Sequence, residues 1–275
     1  MPFAQVNGIE LYYESHGSGQ AVVFAHGAGG NHLSWWQQVP VFSKRYRCIT
    51  FDHRAFGRSR DGDGDAKRGR TAFHEDLLAL LDLLEVPQAA IVAQSMGGRT
   101  AVGFALRNPG RCSAMVLAGT TGGAVNDDVR ALQEEYRATA AGQQPLLRRA
   151  VAPALKQRAP ASDFLYRSIA RLNPPRPKDF LAPPPANYRG SSAERLAEAG
   201  FPVLFLVGEH DAITPPAIIE QCHHAVAGSE FEVIGGSGHS AYFEQPQVFN
   251  EAVLRFLSTV DGWQGDTEYG SAPRG

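Results

Sequence analysis

A chain of 275 residues with 43% hydrophobic content can bury one sizeable core and still carry an insertion. Its 26 Lys and Arg against 28 Asp and Glu give a formal net charge of -2, which leaves no global basic field to hold nucleic acid or an anionic membrane. Cys48, Cys112 and Cys222 sit in apolar surroundings and read as buried thiols, and the start, MPFAQVNGIELYYES, lacks a secretory signal, so a cytoplasmic protein with no membrane or nucleic-acid partner is expected.

In chain order, Phe3 to Val6 and Ile9 to Glu14 read as strands joined by the hairpin pair Asn7-Gly8. Ala21 to Ala25 is a continuous apolar run that opens into His26-Gly27-Ala28-Gly29-Gly30, a loop whose backbone can approach a ligand closely. Leu33 to Phe42 reads as helix, Arg47 to Phe51 as strand, and Asp52 to Ser59 as a turn-rich connection. Leucines at helical spacing predict a helix from about Thr71 through Leu84, with Pro87 beyond its end. Ala89 to Ala93 is the next strand, followed by a helix-like run from Arg99 to Arg107, and Ala114 to Ala118 is another strand.

From Ala124 to about Arg195 the composition changes. Asp127 to Arg171 is helical in pattern, while Asn173 to Arg189 is proline-rich and reads as extended linker or lid. Alternation then resumes with a strand at Val203 to Val207, a helix at Pro216 to Val226, a strand at Glu230 to Ile234 and a helix at Gln247 to Val260. The organisation expected is a core from 1–123 and 196–260, an insertion at 124–195 and a mobile tail at 261–275. Strands alternating with helices imply a mostly parallel sheet covered on both faces.

Ala93-Gln94-Ser95-Met96-Gly97 joins a buried strand to a helix. A serine on such a sharp turn needs small neighbours two places before and after, here Ala93 and Gly97. The turn lifts the Ser95 hydroxyl clear of the sheet and aims the Met96 N–H toward an oxyanion forming beside it. Gly208-Glu209-His210-Asp211 follows another strand. Either acid could orient an imidazole, with Asp211 better placed because a helix begins just beyond it and Glu209 the alternative. Gly235-Gly236-Ser237-Gly238-His239-Ser240 is small and flexible enough to bring His239 over the sheet edge. The order serine, acid, histidine belongs to one triad scaffold in particular.

On these residues the chain resembles the α/β-hydrolase fold superfamily over nearly its whole length. His26 to Gly30 is similar to its HG loop, Asp52 to Ser59 to its D-x-R-G-x-G-x-S turn with Ala55 in place of glycine, Ala93 to Gly97 to its elbow, and Gly238-His239 to its histidine loop. The resemblance implies an eight-stranded, mostly parallel sheet with a helical cap, and oxyanion-hole N–H groups from Ala28 and Met96.

The mechanism expected is serine hydrolysis of a carboxylic ester or lactone through an acyl-enzyme, with Ser95 as nucleophile, His239 as base and Asp211 as orienting acid. Carbon–carbon bond hydrolysis of a diketone-like substrate and a slow-turnover ligand receptor are the alternatives on the same fold. No cofactor is expected, since no phosphate-binding glycine motif is present, and no metal, since the histidines lack ligand spacing. The substrate expected is a small, uncharged, partly apolar molecule, bounded by Trp35 or Trp36, Leu147, Phe164 and Tyr242. His53 and Arg54 are expected to brace their turn, His74 to lie on a solvated helix face, and Glu244 to start a helix.

Overall fold

The computed structural model describes residues 3–63, 68–176, 180 and 192–260. The expected tail and most of the proline-rich tract fall outside the described residues. One eight-stranded sheet runs in the order β1-β2-β4-β3-β5-β6-β7-β8. Its strands are β1 (Phe3–Val6), β2 (Ile9–His16), β3 (Ala21–Ala25), β4 (Arg47–Phe51), β5 (Ala89–Gln94), β6 (Cys112–Ala118), β7 (Val203–Gly208) and β8 (Glu230–Ile234). The β1–β2 and β2–β4 pairs are antiparallel, and every other pair is parallel.

The central strands are apolar almost throughout because both faces are covered. Val23, Ile91, Leu117, Phe205 and Val207 face one core with Leu77 and Leu80 of α2 (Phe73–Leu83), Phe104 of α3 (Met96–Arg107) and Ile219 of α9 (Pro216–Ala225). Their neighbours Phe24, Val92, Val116, Leu204 and Leu206 face the other core, with Phe42 of α1 (Val39–Phe42) and Phe249, Val253 and Phe256 of α11 (Pro246–Val260). This is the period of two expected of a strand, with an apolar layer on each side. The three cysteines are buried and free, as their surroundings suggest.

Local differences have local causes. The helix expected over Leu33 to Phe42 is a 3-10 turn, His32–Trp35, followed separately by α1. Asn31 caps the turn by accepting the Leu33 N–H at 3.0 Å, while Pro40, which lacks an N–H, sits in the first turn of α1. His74 is not on a solvated face: it is 8% exposed, because its side of α2 packs on α3 beside Gly103. The elbow helix begins at Met96, directly after Ser95, rather than at Arg99.

Between β6 and β7 lie α4 (Asp127–Ala138), α5 (Leu146–Arg149), α6 (Leu155–Arg158), α7 (Pro160–Arg171) and α8 (Ala193–Ala197). α8 packs on α3 and α9, and α4 packs on α9, whereas α7 lies over the 3-10 turn. Asn31 Nδ2 donates to the Ile169 carbonyl at 3.1 Å, and Asn173 Oδ1 accepts the Gly57 N–H at 2.8 Å. These bonds hold the segment over the carboxyl ends of β3 and β4, where open α/β sheets collect their ligands.

Candidate active site

Ser95 follows the last residue of β5 with φ 51 and ψ -114, a conformation that costs about 1–3 kcal/mol and persists only where surroundings enforce it. They do so here: the Ser95 N–H donates to the Ala118 carbonyl and the Ser95 carbonyl accepts the Gly98 N–H, both at 3.0 Å. A Cβ on Gly97 would collide with the Ala25 carbonyl, so the elbow closes only with glycine there.

Across the sheet edge, Asp211 Oδ2 accepts from Nδ1 of His239 at 2.8 Å, and both residues are buried. Asp211 Oδ1 accepts the Ile213 and Thr214 N–H groups at 2.8 and 2.9 Å, which fixes the orientation of the carboxylate. With Nδ1 protonated, His239 Nε2 is a lone-pair acceptor, and it is buried with no partner among the described residues. Leaving such an atom unpaired costs about 1–3 kcal/mol, which suits a base held ready for an incoming proton. Glu209 lies elsewhere, at the surface, with Oε2 accepting the Gly236 N–H at 2.8 Å.

Two residues to which the sequence gives no part in the site hold this arrangement. Gln94 Nε2 donates to the His239 carbonyl at 3.2 Å, and a Cβ on Gly27 would strike the same glutamine, so Gln94 packs between the elbow, the histidine loop and the HG loop. Glu244 is not simply a helix-start residue. It ends α10 (Ala241–Glu244), is buried, and accepts the Gly238 N–H at 3.0 Å and the Ala152 N–H at 2.9 Å. Burial raises its pKa, opposed by those backbone donors.

The HG loop rests on a buried imidazole chain. Thr100 Oγ1 lies 2.9 Å from His53 Nε2, His53 Nδ1 lies 3.0 Å from His26 Nε2, and His26 Nδ1 lies 2.8 Å from the Gly27 carbonyl. The carbonyl requires a proton on His26 Nδ1, which sets His26 Nε2 as acceptor and His53 Nδ1 as donor. Burial lowers the pKa of His26 to about 4 and that of His53 well below its ordinary value, so both are neutral. Arg54 is fully buried and forms a forked pair with Asp76, both bonds 2.7 Å, which braces the turn as expected. No hydrogen bond among the described residues uses the Ala28 or Met96 N–H.

A cavity of about 300 Å³ opens over Ser95, with Ala28 and Met96 in its wall. Four arginines also line it: Arg70, Arg99, Arg137 and Arg149. None of the five side chains expected to bound the substrate lines this cavity. Trp35 and Tyr242 pack against each other in the core with ring centroids 4.7 Å apart. Trp36 is exposed beside Phe243, and Leu147 and Phe164 are 64% and 68% exposed; in this segment Leu146 reaches the cavity instead. Short helices such as α5 show no periodicity long enough to tell which leucine faces inward. Among the described residues no group of three His, Cys, Asp or Glu could hold a metal ion, and no helix is long and apolar enough to cross a membrane.

The profile of the alpha/beta hydrolase fold matches residues 20–246. The chain is 32% identical to 3-oxoadipate enol-lactonase 2 of Acinetobacter baylyi, over 89% of this chain and 92% of that protein. It is 27% identical to a 2-hydroxy-6-oxononadienedioate/2-hydroxy-6-oxononatrienedioate hydrolase of Paraburkholderia xenovorans, over 91% of each chain. Among solved structures it is similar to Est816, an N-acyl homoserine lactone degrading enzyme, with TM-score 0.73 and 28% identity, covering 93% of this chain and 100% of that one.

Proposed function

The chain belongs to the alpha/beta hydrolase fold family and is a hydrolase of small molecules, and from that premise we propose that it cleaves a carboxylic ester or lactone through Ser95, His239 and Asp211. The observation that carries this reading is the buried Asp211–His239 hydrogen bond of 2.8 Å, with His239 Nε2 unpaired among the described residues on the sheet edge that also presents Ser95.

Ser95 Oγ attacks the carbonyl carbon while His239 Nε2 takes its proton, and Asp211 stabilises the resulting imidazolium. The carbonyl oxygen becomes an oxyanion and receives the Ala28 and Met96 N–H groups, which donate no other hydrogen bond among the described residues. Collapse expels the alkoxide, which takes the proton back from His239, and a water activated by the same histidine then releases the acid and restores Ser95. Kinship with an enol-lactonase and with a lactone-degrading enzyme supports acyl–oxygen cleavage. Kinship with the 2-hydroxy-6-oxononadienedioate hydrolase supports a second reading, in which the bond cleaved is carbon–carbon.

A panel of esters, lactones and ring-cleavage products, assayed with wild type and Ser95→Ala, tests this. Rapid multiple turnover of an ester or lactone, lost in Ser95→Ala, supports the proposal. Turnover confined to ring-cleavage products favours the second reading, and a single slow turnover with tight binding would make the protein a receptor.

A further inference from the structure

Among the described residues the lining of the Ser95 cavity includes four arginines and no acidic side chain, although the chain as a whole has a formal charge of -2. The four come from separate elements: Arg70 from a second 3-10 turn, Gly69–Ala72, before α2, Arg99 from α3, Arg137 from the end of α4 and Arg149 from the end of α5. Arg99, Arg137 and Arg149 form no salt bridge with any acidic side chain among the described residues. Elsewhere the protein pairs its arginines closely, as Arg54 with Asp76 and Arg167 with Asp163.

Arg149 is held in place by the fold, whereas Arg99 and Arg137 line the cavity as exposed side chains. Arg149 donates from Nε to the Gln144 carbonyl and from Nη1 to the Ala212 carbonyl, both at 2.8 Å. Ala212 directly follows Asp211, so this arginine is fixed to the loop that carries the orienting acid. Arg99 fits against Gly123, whose φ of +83 and missing side chain leave room: a Cβ there would lie 3.1 Å from the guanidinium. Arg70 and Arg99 repel each other, as do Arg99 and Arg137. Desolvation and the charge of Arg99 push Arg70 down to about 10, and desolvation by the surrounding protein and the charge of Arg137 lower Arg99. Like charges gathered around one cavity repel one another, and an anion that joins them relieves the repulsion.

We propose that the substrate is anionic, an ester or lactone bearing a free carboxylate that Arg99 and Arg137 bind, with Arg70 and Arg149 completing the positive wall. This inference rests on the ester or lactone reading and departs from the uncharged substrate expected from net charge alone. Guanidinium forks match a carboxylate in plane and can bind it through two bonds at once. A positive cavity also raises the local concentration of anions, an effect that weakens with salt. The substrate carboxylate would sit opposite the scissile carbonyl within about 300 Å³, which suits a half-ester of a short dicarboxylic acid or a lactone carrying an acid side chain.

The test compares mono-(4-nitrophenyl) glutarate with 4-nitrophenyl pentanoate, in which a methyl group replaces the carboxylate. The readout is the ratio of their kcat/KM values in wild type, Arg99→Gln, Arg137→Gln and the double variant, with thermal melting to confirm folding. A wild-type ratio above one that falls roughly tenfold per guanidinium lost supports the proposal, that being the usual worth of a charge-assisted bond. A ratio at or below one, or one that the glutamine variants leave in place, overturns it. Glutarate should compete at lower concentration than inorganic phosphate; the reverse order overturns the assignment of a carboxylate. If wild type hydrolyses neither ester, the ester reading fails and calorimetric binding of glutarate decides the present inference. Binding lost in the double variant upholds it, and absent or unchanged binding ends it.

Discussion

Gln94 and His239 stand 145 positions apart in the chain, yet the Gln94 side chain donates to the His239 carbonyl at 3.2 Å. The residue before the candidate nucleophile therefore sets the height of the candidate base. Replacing it with leucine keeps the volume and removes the donor. We expect Gln94→Leu to lower kcat on the order of 10–100-fold, the usual result of a small misplacement of reacting groups, with a lesser change in KM. Steady-state kinetics beside a melting curve checks this; a lower Tm with kcat intact would leave Gln94 only a packing role.

Asp211 and Glu209 separate just as sharply. Asp211→Asn should reduce kcat by on the order of 10⁴, because an asparagine that donates to His239 Nδ1 imposes the wrong tautomer. Glu209→Gln removes an exposed charge, keeps an oxygen that can accept the Gly236 N–H, and should change kcat by less than about threefold. Parallel kinetics on the two variants tests the assignment, and the opposite ranking would move the acid to Glu209.

The buried imidazoles make stability depend on pH with a definite sign. His26 titrates near 6.5 in the unfolded chain and at about 4 when folded, so between those values the unfolded state binds the extra proton. Stability is therefore full above pH 6.5 and is lost as pH falls toward 4, by up to about 3 kcal/mol from this residue alone. His53, also lowered by burial, acts in the same direction. Urea denaturation at pH 7 and pH 5 should show the decline, and a flat profile would mean that the imidazole chain is not neutral in the folded state.

The turn after β4 contains one strained residue and one glycine that strain cannot replace. Ala55 has φ 64, where an L side chain costs about 1–2 kcal/mol, so Ala55→Gly should leave stability unchanged or raise it by about 1 kcal/mol after the extra chain entropy of glycine. Gly57, with φ 48, has the Asp52 carboxylate where a Cβ would go. That carboxylate accepts the His32 and Arg58 N–H groups, so Gly57→Ala should destabilise by about 2 kcal/mol or more. Chemical denaturation of both variants checks the pair, and a stabilising Gly57→Ala would refute the account of the turn.

What the sequence determined by itself is whatever neighbouring residues impose on one another. Runs such as Ala21–Ala25 and Val203–Gly208 are apolar on both faces and can only be interior strands, Asn7-Gly8 can only turn a hairpin, and Ala93 and Gly97 leave room for a serine elbow. Because parallel strands deliver their following loops to one sheet edge, the sequence also places Ser95, Asp211 and His239 on a common edge. Tertiary structure decided what depends on distant segments meeting. Gln94 reaches the histidine loop, His26 leans on His53 and Thr100, and Glu244 joins Gly238 to Ala152, through contacts with no local pattern. The same holds for the cavity wall, where arginines far apart in the chain are brought together by four separate elements. Side-chain charge is a local property, but the field it makes belongs to the positions that folding assigns.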